Sequence, residues 1–506
     1  MSETQSAGSG RLIVGLSLAM GASLTVAASL NYLLTPMRSD LGLTQDQTSI
    51  ALAIPSIASL LIVFAAGRLG DRRGHRTVVL WMSVLFIIGS ALVMITPGLA
   101  LLVLGLLFAG LAATAIQIVV FGLLSDRFEE PSARARAFGT FGMVSPFIWM
   151  LFPVLTGAVV RDHSWRLVPA IWVVCGIAML IGARRLLPPA RSVKPLGEIR
   201  TPILAGLTVV LAVQALSRVG DGGLTSPAFL IAAAAAVLSA IACGVVLRRT
   251  REPSFSLQPL RVRRARGLLA VVIIIPMLNT VFLMTLAFQY LYGLSVLQTA
   301  LIMVPAQAAA ILGTRFLAGP LMRRFGVTRT AAGLFGVVAV AMLGALLISV
   351  GSPLWVPAVY VAVYNVLTVA ASITVTSGVM ATGNEENSGL VAAYRGSSVA
   401  LGATLAVVAM NAAVFGLSRL WLYADFQEQG LTSSEAADQM NDIMASATSP
   451  DVMTQYAVPL PSGVTVDQSM QDAIATGLHV NGLLGSALSI LCVVLIVNSA
   501  RRARRS

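Results

Sequence analysis

"GRLGDRRGHR", Gly67 to Arg76, sets four arginines and one aspartate between two stretches that are otherwise almost wholly apolar. Those charges make sense only against their surroundings. Of 506 residues, 57% are hydrophobic and 11% charged, with a mean hydropathy of +0.86. Soluble domains carry about 25% charged residues, so the composition is that of an integral membrane protein.

A helix needs roughly 20 apolar residues to cross about 30 Å of hydrocarbon. Windows of that kind recur at about 12–36, 48–68, 77–96, 99–123, 138–160, 167–188, 201–218, 226–247, 268–291, 295–317, 329–350, 354–379, 395–418 and 479–499. Fourteen spans are expected in an all-α integral membrane fold, and an even number puts both termini on one side. With the N-terminus inside, 28 of the 34 basic residues fall on the cytoplasmic side, the four of the opening turn among them. The net charge of +13 is thus mostly a topology signal. It predicts a multi-pass protein of the plasma membrane with both termini cytoplasmic. Lys194 is the single lysine, which points to a GC-rich bacterial coding sequence.

Scattering over short loops excludes the basic face that a nucleic-acid binder needs, so no nucleic-acid partner is expected. Cys175, Cys243 and Cys492 all lie within spans and lack metal-ligand or redox spacing. No metal or cofactor is expected, and no nucleophile and base stand at catalytic spacing, so the chain reads as a non-enzyme. The partners expected are membrane lipids and a small lipophilic substrate or lipid. A monomer satisfies this reading.

The opening turn has an echo. In "GPLMRRFGVTR", Gly319, Arg324 and Gly326 stand 252 residues after Gly67, Arg72 and Gly74, and both copies follow an apolar span. Such repetition predicts two related halves of about six helices, with a site between them. The boundaries expected are 1–188 for the first bundle, 189–265 for an inserted helix pair with the basic linker "RRTREPSFSLQPLRVRRARG", and 266–506 for the second bundle. The longest polar stretch, 419–477, is expected outside, and its "SSEAADQMNDIMASA" reads either as a short amphipathic helix or as a plain polar loop.

These residues resemble a known family. "GRLGDRRGHR" is similar to the signature loop of the major facilitator superfamily, with His75 where an arginine is usual. The fourteen spans, "SWR" at Ser164 to Arg166 and the arginine-rich run before the ninth span resemble its fourteen-helix drug/proton antiporter branch. Span five, "GTFGMVSPFIWMLFPVLTG", is similar to the glycine and proline motif of the exporters, with Pro146 and Gly157 matching best. The resemblance implies two six-helix bundles plus an inserted pair, 14 transmembrane helices in all. It implies that the loop latches the inner side, with Asp71, Arg72 and Arg76 as latch residues and Gly67 and Gly74 serving close approach and turning. In the second copy, Gly319, Arg324 and Gly326 match while Arg323 takes the aspartate's place, so that half should latch less.

Asp71 also carries a physical argument of its own. An acid in a basic loop does nothing for topology, and at the inner end of span two it can meet its own arginines or the positive start of a helix such as span thirteen. Proton coupling is less well provided for. The branch has an aspartate in span one and an arginine in span four; span one here offers only Thr25, Ser29 and Asn31, and Leu106 stands in span four. All 21 acids read as loop or span-end residues, and so do the histidines, leaving Asp40 and Asp46 as the acids expected to titrate at the outer mouth if protons drive transport.

Inside the spans remain neutral polar groups: Asn31, Gln117, Asn279, Gln289, Asn365 beside Tyr364, and Asn411. Each either bonds a neighbouring helix or, with Trp149, lines a substrate site. A few amides and aromatics among many apolar groups suit a lipophilic or amphipathic cargo. Three functions follow: an exporter of such a molecule by alternating access, a transporter of cell-envelope lipids or their precursors, or a membrane scaffold or sensor without transport.

Overall fold

In hydrocarbon each backbone polar group must bond within its own segment, so the apolar stretches fold as helices. The computed structural model describes residues 3–43, 45–128, 130–189, 200–222, 226–250, 262–294, 296–383, 388–410 and 466–503. Its helices are α1 (Glu3–Leu41), α2 (Gln45–Arg73), α3 (His75–Met94), α4 (Leu99–Arg127), α5 (Pro131–Phe141), α6 (Val144–Asp162), α7 (Leu167–Leu186), α8 (Arg200–Gly222) and α9 (Pro227–Arg249). They continue as α10 (Arg263–Ile274), α11 (Val281–Tyr290), α12 (Val296–Gly313), α13 (Gly319–Met342), α14 (Trp355–Met380), α15 (Ser388–Met410) and α16 (Val466–Ala503). Eleven helical stretches among the described residues are long and apolar enough to cross a membrane, so this is a multi-pass membrane protein.

Several expected spans are interrupted, each with a local cause. The window at 138–160 divides into α5 and α6 at Gly142 and Met143, just before Pro146. The window at 268–291 is broken by a 3-10 turn, Ile275–Leu278, that contains Pro276, because proline removes a helical donor and crowds the preceding turn. A wide π turn, Thr314–Ala318, joins α12 to α13, and α13 itself bends sharply at Gly326.

Two boundaries differ more. Arg263, Arg264 and Arg266 form the first turns of α10 rather than part of a linker. The polar stretch expected to reach 477 gives way to α16 already at Val466, because Ile474 and Leu478 bury against Leu283 and Phe288 of α11. The "SSEAADQMNDIMASA" segment, Asn411 and residues 251–261 of the linker lie outside the described residues.

The first seven helices pack on one another: α1 on α4, α6 and α7, α2 on α4, and α3 on α4 and α7. The polar groups of α1 are met inside this bundle, where the Trp172 indole donates to Ser29 at 3.0 Å and Ser29 donates to the Thr25 carbonyl at 2.6 Å. At the opposite end from the basic loops, Asp40 accepts from the Trp165 indole at 3.0 Å and from Arg166, which also reaches the Thr96 carbonyl at 3.0 Å. Trp165 first and Arg166 second hold the Asp40 carboxyl below the usual carboxylate range. Among the later helices, α10 packs on α16 and α15, α12 on α14, and α13 on α14 and α16. α8 packs on α2 and α15, and α9 packs on α8, to which it is joined by a 3.0 Å hydrogen bond between Thr208 and Ser239. Ser239 is the one buried residue of α9, which otherwise presents an apolar surface.

Candidate functional site

The two sets of helices meet at the end that bears the basic loops, and Asp71 stands at the junction. It sits in the last turn of α2 with a side chain only 2% exposed. Its Oδ1 accepts from the Gly389 N–H at 2.8 Å and its Oδ2 from the Leu390 N–H at 3.2 Å. Those N–H groups open α15, where the first turn of a helix has no internal acceptors and carries the positive end of the dipole. A carboxylate there satisfies two orphan donors across 318 residues of sequence.

The approach needs glycine on both sides. A methyl at Gly67, one turn before Asp71, would overlap the Gly389 carbonyl oxygen, and one at Gly389 would lie 2.6 Å from Asp71 Oδ1. Gly74 then reverses the chain at φ 87°, a left-handed conformation natural to glycine.

His75, in the arginine's usual place, is buried behind this contact. Its Nε2 lies 4.0 Å from Asp71 Oδ1 and its Nδ1 3.6 Å from Asp126 Oδ2 at the end of α4. The ring fits because Gly122 and Gly70 flank it; a methyl at Gly122 would come within 2.7 Å of Nε2. Beside it, the Ser125 hydroxyl donates to the Met380 carbonyl at the end of α14, 3.0 Å away.

The repeated turn makes a similar junction with arginine in the place of the acid. Gly326 has φ 75°, matching Gly74, and Gly319 meets Gly139 of α5, whose added methyl would lie 3.2 Å from the Gly319 Cα. Arg323 is exposed where the first copy has Asp71, and Arg324 lies 5.2 Å over the neighbouring Phe325 ring. No carboxylate caps this second junction among the described residues.

Other expected latch residues are placed differently. Arg76 donates to the carbonyls of Ala183 at 3.3 Å and Arg184 at 2.7 Å, so it closes the end of α7 inside the first bundle. Arg72 is half-buried in the last turn of α2. Pro146 is buried near the start of α6, whereas a methyl at Gly157 would touch nothing, so Gly157 marks no close helix approach here.

The polar interior residues separate into two groups. Tyr364 donates to the Leu278 carbonyl at 2.6 Å, satisfying an acceptor that the break after Pro276 leaves open. Asn365 donates to the Ala306 carbonyl at 3.2 Å and to Gln307 at 3.1 Å. The Asn279 amide oxygen accepts from Val281 N–H at 2.9 Å and so starts α11. These three fasten helices and breaks. Gln117 and Gln289 are half-buried, and nothing is described of the Asn31 or Asp46 side chains. Trp149 is 40% exposed although Pro146 and Pro153, three and four residues away on the same side of α6, are buried.

Sequence reasoning missed Gly389, Asp126, Ser125 and Gly139. An acid among basic loop residues was a sufficient signal for Asp126, as it was for Asp71; a glycine or serine at a helix end carries no comparable mark. Arg395, expected at the inner start of the window 395–418, lies within α15, with Nε 3.2 Å from Thr376 Oγ1 and the guanidinium 4.4 Å over the Phe121 ring. No group of three or more metal-capable side chains occurs among the described residues.

The family model of the Major Facilitator Superfamily matches residues 15–407. The chain belongs to the major facilitator superfamily. Among relatives of this superfamily, it is 26% identical over 377 residues to the methylenomycin A resistance protein of Bacillus subtilis, covering 73% of this chain and 79% of that protein. It is 28% identical over 282 residues to the tetracenomycin C resistance and export protein of Streptomyces glaucescens, covering 53% of this chain and 51% of that one. The human organic anion transporter MFSD10 has the same fold, with a TM-score of 0.62 at 14% identity over 96% of this chain and 99% of that one. Membership in this superfamily makes the chain a transporter rather than an enzyme.

Proposed function

We propose that this transporter exports a lipophilic or amphipathic small molecule by alternating access, with the Asp71 junction as its inner gate. The observation that carries the reading is the carboxylate seated on the start of α15, a contact between the two sets of helices that opens or closes as a unit. The positive-inside bias supports a cytoplasmic position for this end, and with it for both termini. The arrangement then blocks passage from the inside, and cargo leaves from a site between the bundles toward the outer face.

Fourteen spans fit the helices best. Gln298–Leu347 counts as two spans once the reversal at Gly326 is recognised, α8 supplies a shorter one over Arg200–Ala215, and α15 supplies another. The bundles are then α1 to α7 and α10 to α16, with α8 and α9 inserted between them. Trp149 offers an aromatic face to the cargo, and recognition rests on apolar burial with a few polar groups giving orientation. The resistance and export functions named for the bacterial relatives support export of such molecules.

Efflux of a lipophilic dye from sealed vesicles tests the proposal. Active protein should extrude it, and Asp71→Asn should lower turnover; full efflux by that variant, or none by the parent across a panel of lipophilic compounds, would overturn the reading.

A further inference from the structure

We propose that Arg395 binds an acidic group on the cargo, so that the exported molecule is a lipophilic anion with a carboxylate or similar oxyanion at one end. The inference rests on the export reading above and names the class of cargo. It starts from a charge without a counter-ion. Arg395 is half-buried within α15, and no carboxylate lies within ion-pair distance of it among the described residues.

Its position sets it above the inner seal rather than in it. That seal is made by Asp71 on Gly389 and Leu390 of α15 and by Ser125 of α4 on Met380 of α14. The contacts of Arg395 lie a turn or more further from the same end. Phe121 stands four residues before Ser125, Thr376 four before Met380, and Arg395 itself six after Gly389. At 1.5 Å per residue, that sets its Cα about 9 Å along α15 from the seal. Because α4 belongs to the first set of helices and α14 and α15 to the second, the guanidinium stands between the two sets. It occupies the inner floor of the space that alternating access assigns to cargo.

A cation in a membrane span is costly, and basic side chains near span ends usually snorkel to the interface. Arg395 is held inward instead. Its Nε–H donates to Thr376 Oγ1 at 3.2 Å, and the guanidinium lies 4.4 Å over the Phe121 ring, which Phe138 and Phe141 back at 6.4 and 5.5 Å between centroids. One neutral acceptor and one aromatic face position the group without neutralising it. They also leave its terminal edge free, since neither end amino group has a partner among the described residues. That edge grips a planar oxyanion with two parallel hydrogen bonds. A cationic cargo would be repelled here, and a neutral one would leave the charge unpaired. A lipophilic oxyanion supplies the missing counter-ion while apolar walls bury the rest of the molecule.

Binding to the full-length protein in phosphatidylcholine nanodiscs at neutral pH tests this, with pyrenebutyrate and its methyl ester as fluorescent probes and empty nanodiscs as the blank. A hydrogen-bonded charge pair favours the acid, so the parent should bind pyrenebutyrate at least about tenfold more tightly than the ester. Arg395→Gln should bring the acid down to the affinity of the ester and leave the ester unchanged, which also reports a folded site. Arg395→Lys keeps the charge without the fork and should fall between. A parent that binds the ester as tightly as the acid, or binds neither, overturns the inference, and so does a glutamine variant that keeps the preference. If Arg395→Gln does not fold, the parent's comparison of acid and ester and the lysine variant still decide. Unlabelled naphthoate and dodecyl phosphate separate two sources of an oxyanion: stronger displacement by naphthoate supports a free small molecule, and stronger displacement by dodecyl phosphate overturns that assignment in favour of a lipid phosphate. Efflux from sealed vesicles separates the underlying reading. Equal extrusion of acid and ester keeps the export reading and overturns the anion site, whereas Arg395-dependent binding of the acid without any efflux keeps the site and overturns export.

Discussion

Gly67 and Gly389 face each other so closely that a methyl group on either would overlap the other's carbonyl oxygen. The contact leaves no room for adjustment, because backbone rather than a flexible side chain occupies the space. Gly67→Ala should therefore push the closed inner gate apart at a cost of about 1–3 kcal/mol, the usual range for overpacking. Thiol labelling at the end of α2 should be faster in this variant. Gly157→Ala, with open space around it, should label like the parent and serves as the control.

Asp71→Asn keeps the size of the side chain and removes its charge. A carboxylate at a partly buried helix start contributes up to about 2 kcal/mol. Its loss should shift the gate toward the open form by roughly tenfold, since each 1.4 kcal/mol is a factor of ten. Transport rates and inner-face labelling check it.

Much of this junction was legible in the chain because its chemistry is local. Asp71 stood out as an acid that topology did not require, and the spacing of 252 residues pointed to Gly326, which shares the left-handed conformation of Gly74. What receives Asp71 was less visible. The start of α15 offers backbone N–H groups, and backbone leaves no signature in side-chain chemistry. His75 reads as an ordinary loop residue, and nothing in the sequence sets Asp126 beside it; only the return of α3 beside α4 makes them neighbours. The role of the interior amides depends on packing in the same way. Asn365 sits near the middle of α14, and whether it meets cargo or Gln307 depends on how α12 is placed.

Tyr364→Phe should leave cargo preference unchanged and lower stability by about 1–3 kcal/mol, because it strands the buried Leu278 carbonyl. Thermal unfolding in detergent, set beside competition by a panel of cargo molecules, separates the two effects. Trp149→Ala should show the reverse pattern, with weakened binding of aromatic cargo and little change in unfolding temperature.

At the outer end, Trp165 and Arg166 lower the affinity of Asp40 for a proton relative to the unfolded chain. A depressed carboxyl contributes stability above its unfolded value, near 4, and loses it as pH falls through the still lower folded value. Asp40 should therefore stay ionised at pH 5 to 8 and take no part in proton coupling. Asp40→Asn should preserve the pH profile of transport in that range while lowering stability; a profile that moves with this substitution would contradict the assignment.

Spin-label distances across both ends of the bundles test alternating access most directly. In a cysteine-free background, one pair at Arg73→Cys and Ala381→Cys spans the inner gate, and another at Ile95→Cys and Val350→Cys spans the outer side. The account predicts a short inner distance in the resting protein, and a reciprocal change when cargo or pH shifts the equilibrium, the inner pair lengthening as the outer pair shortens. Distances that stay fixed at both ends, or that lengthen and shorten together, would contradict it.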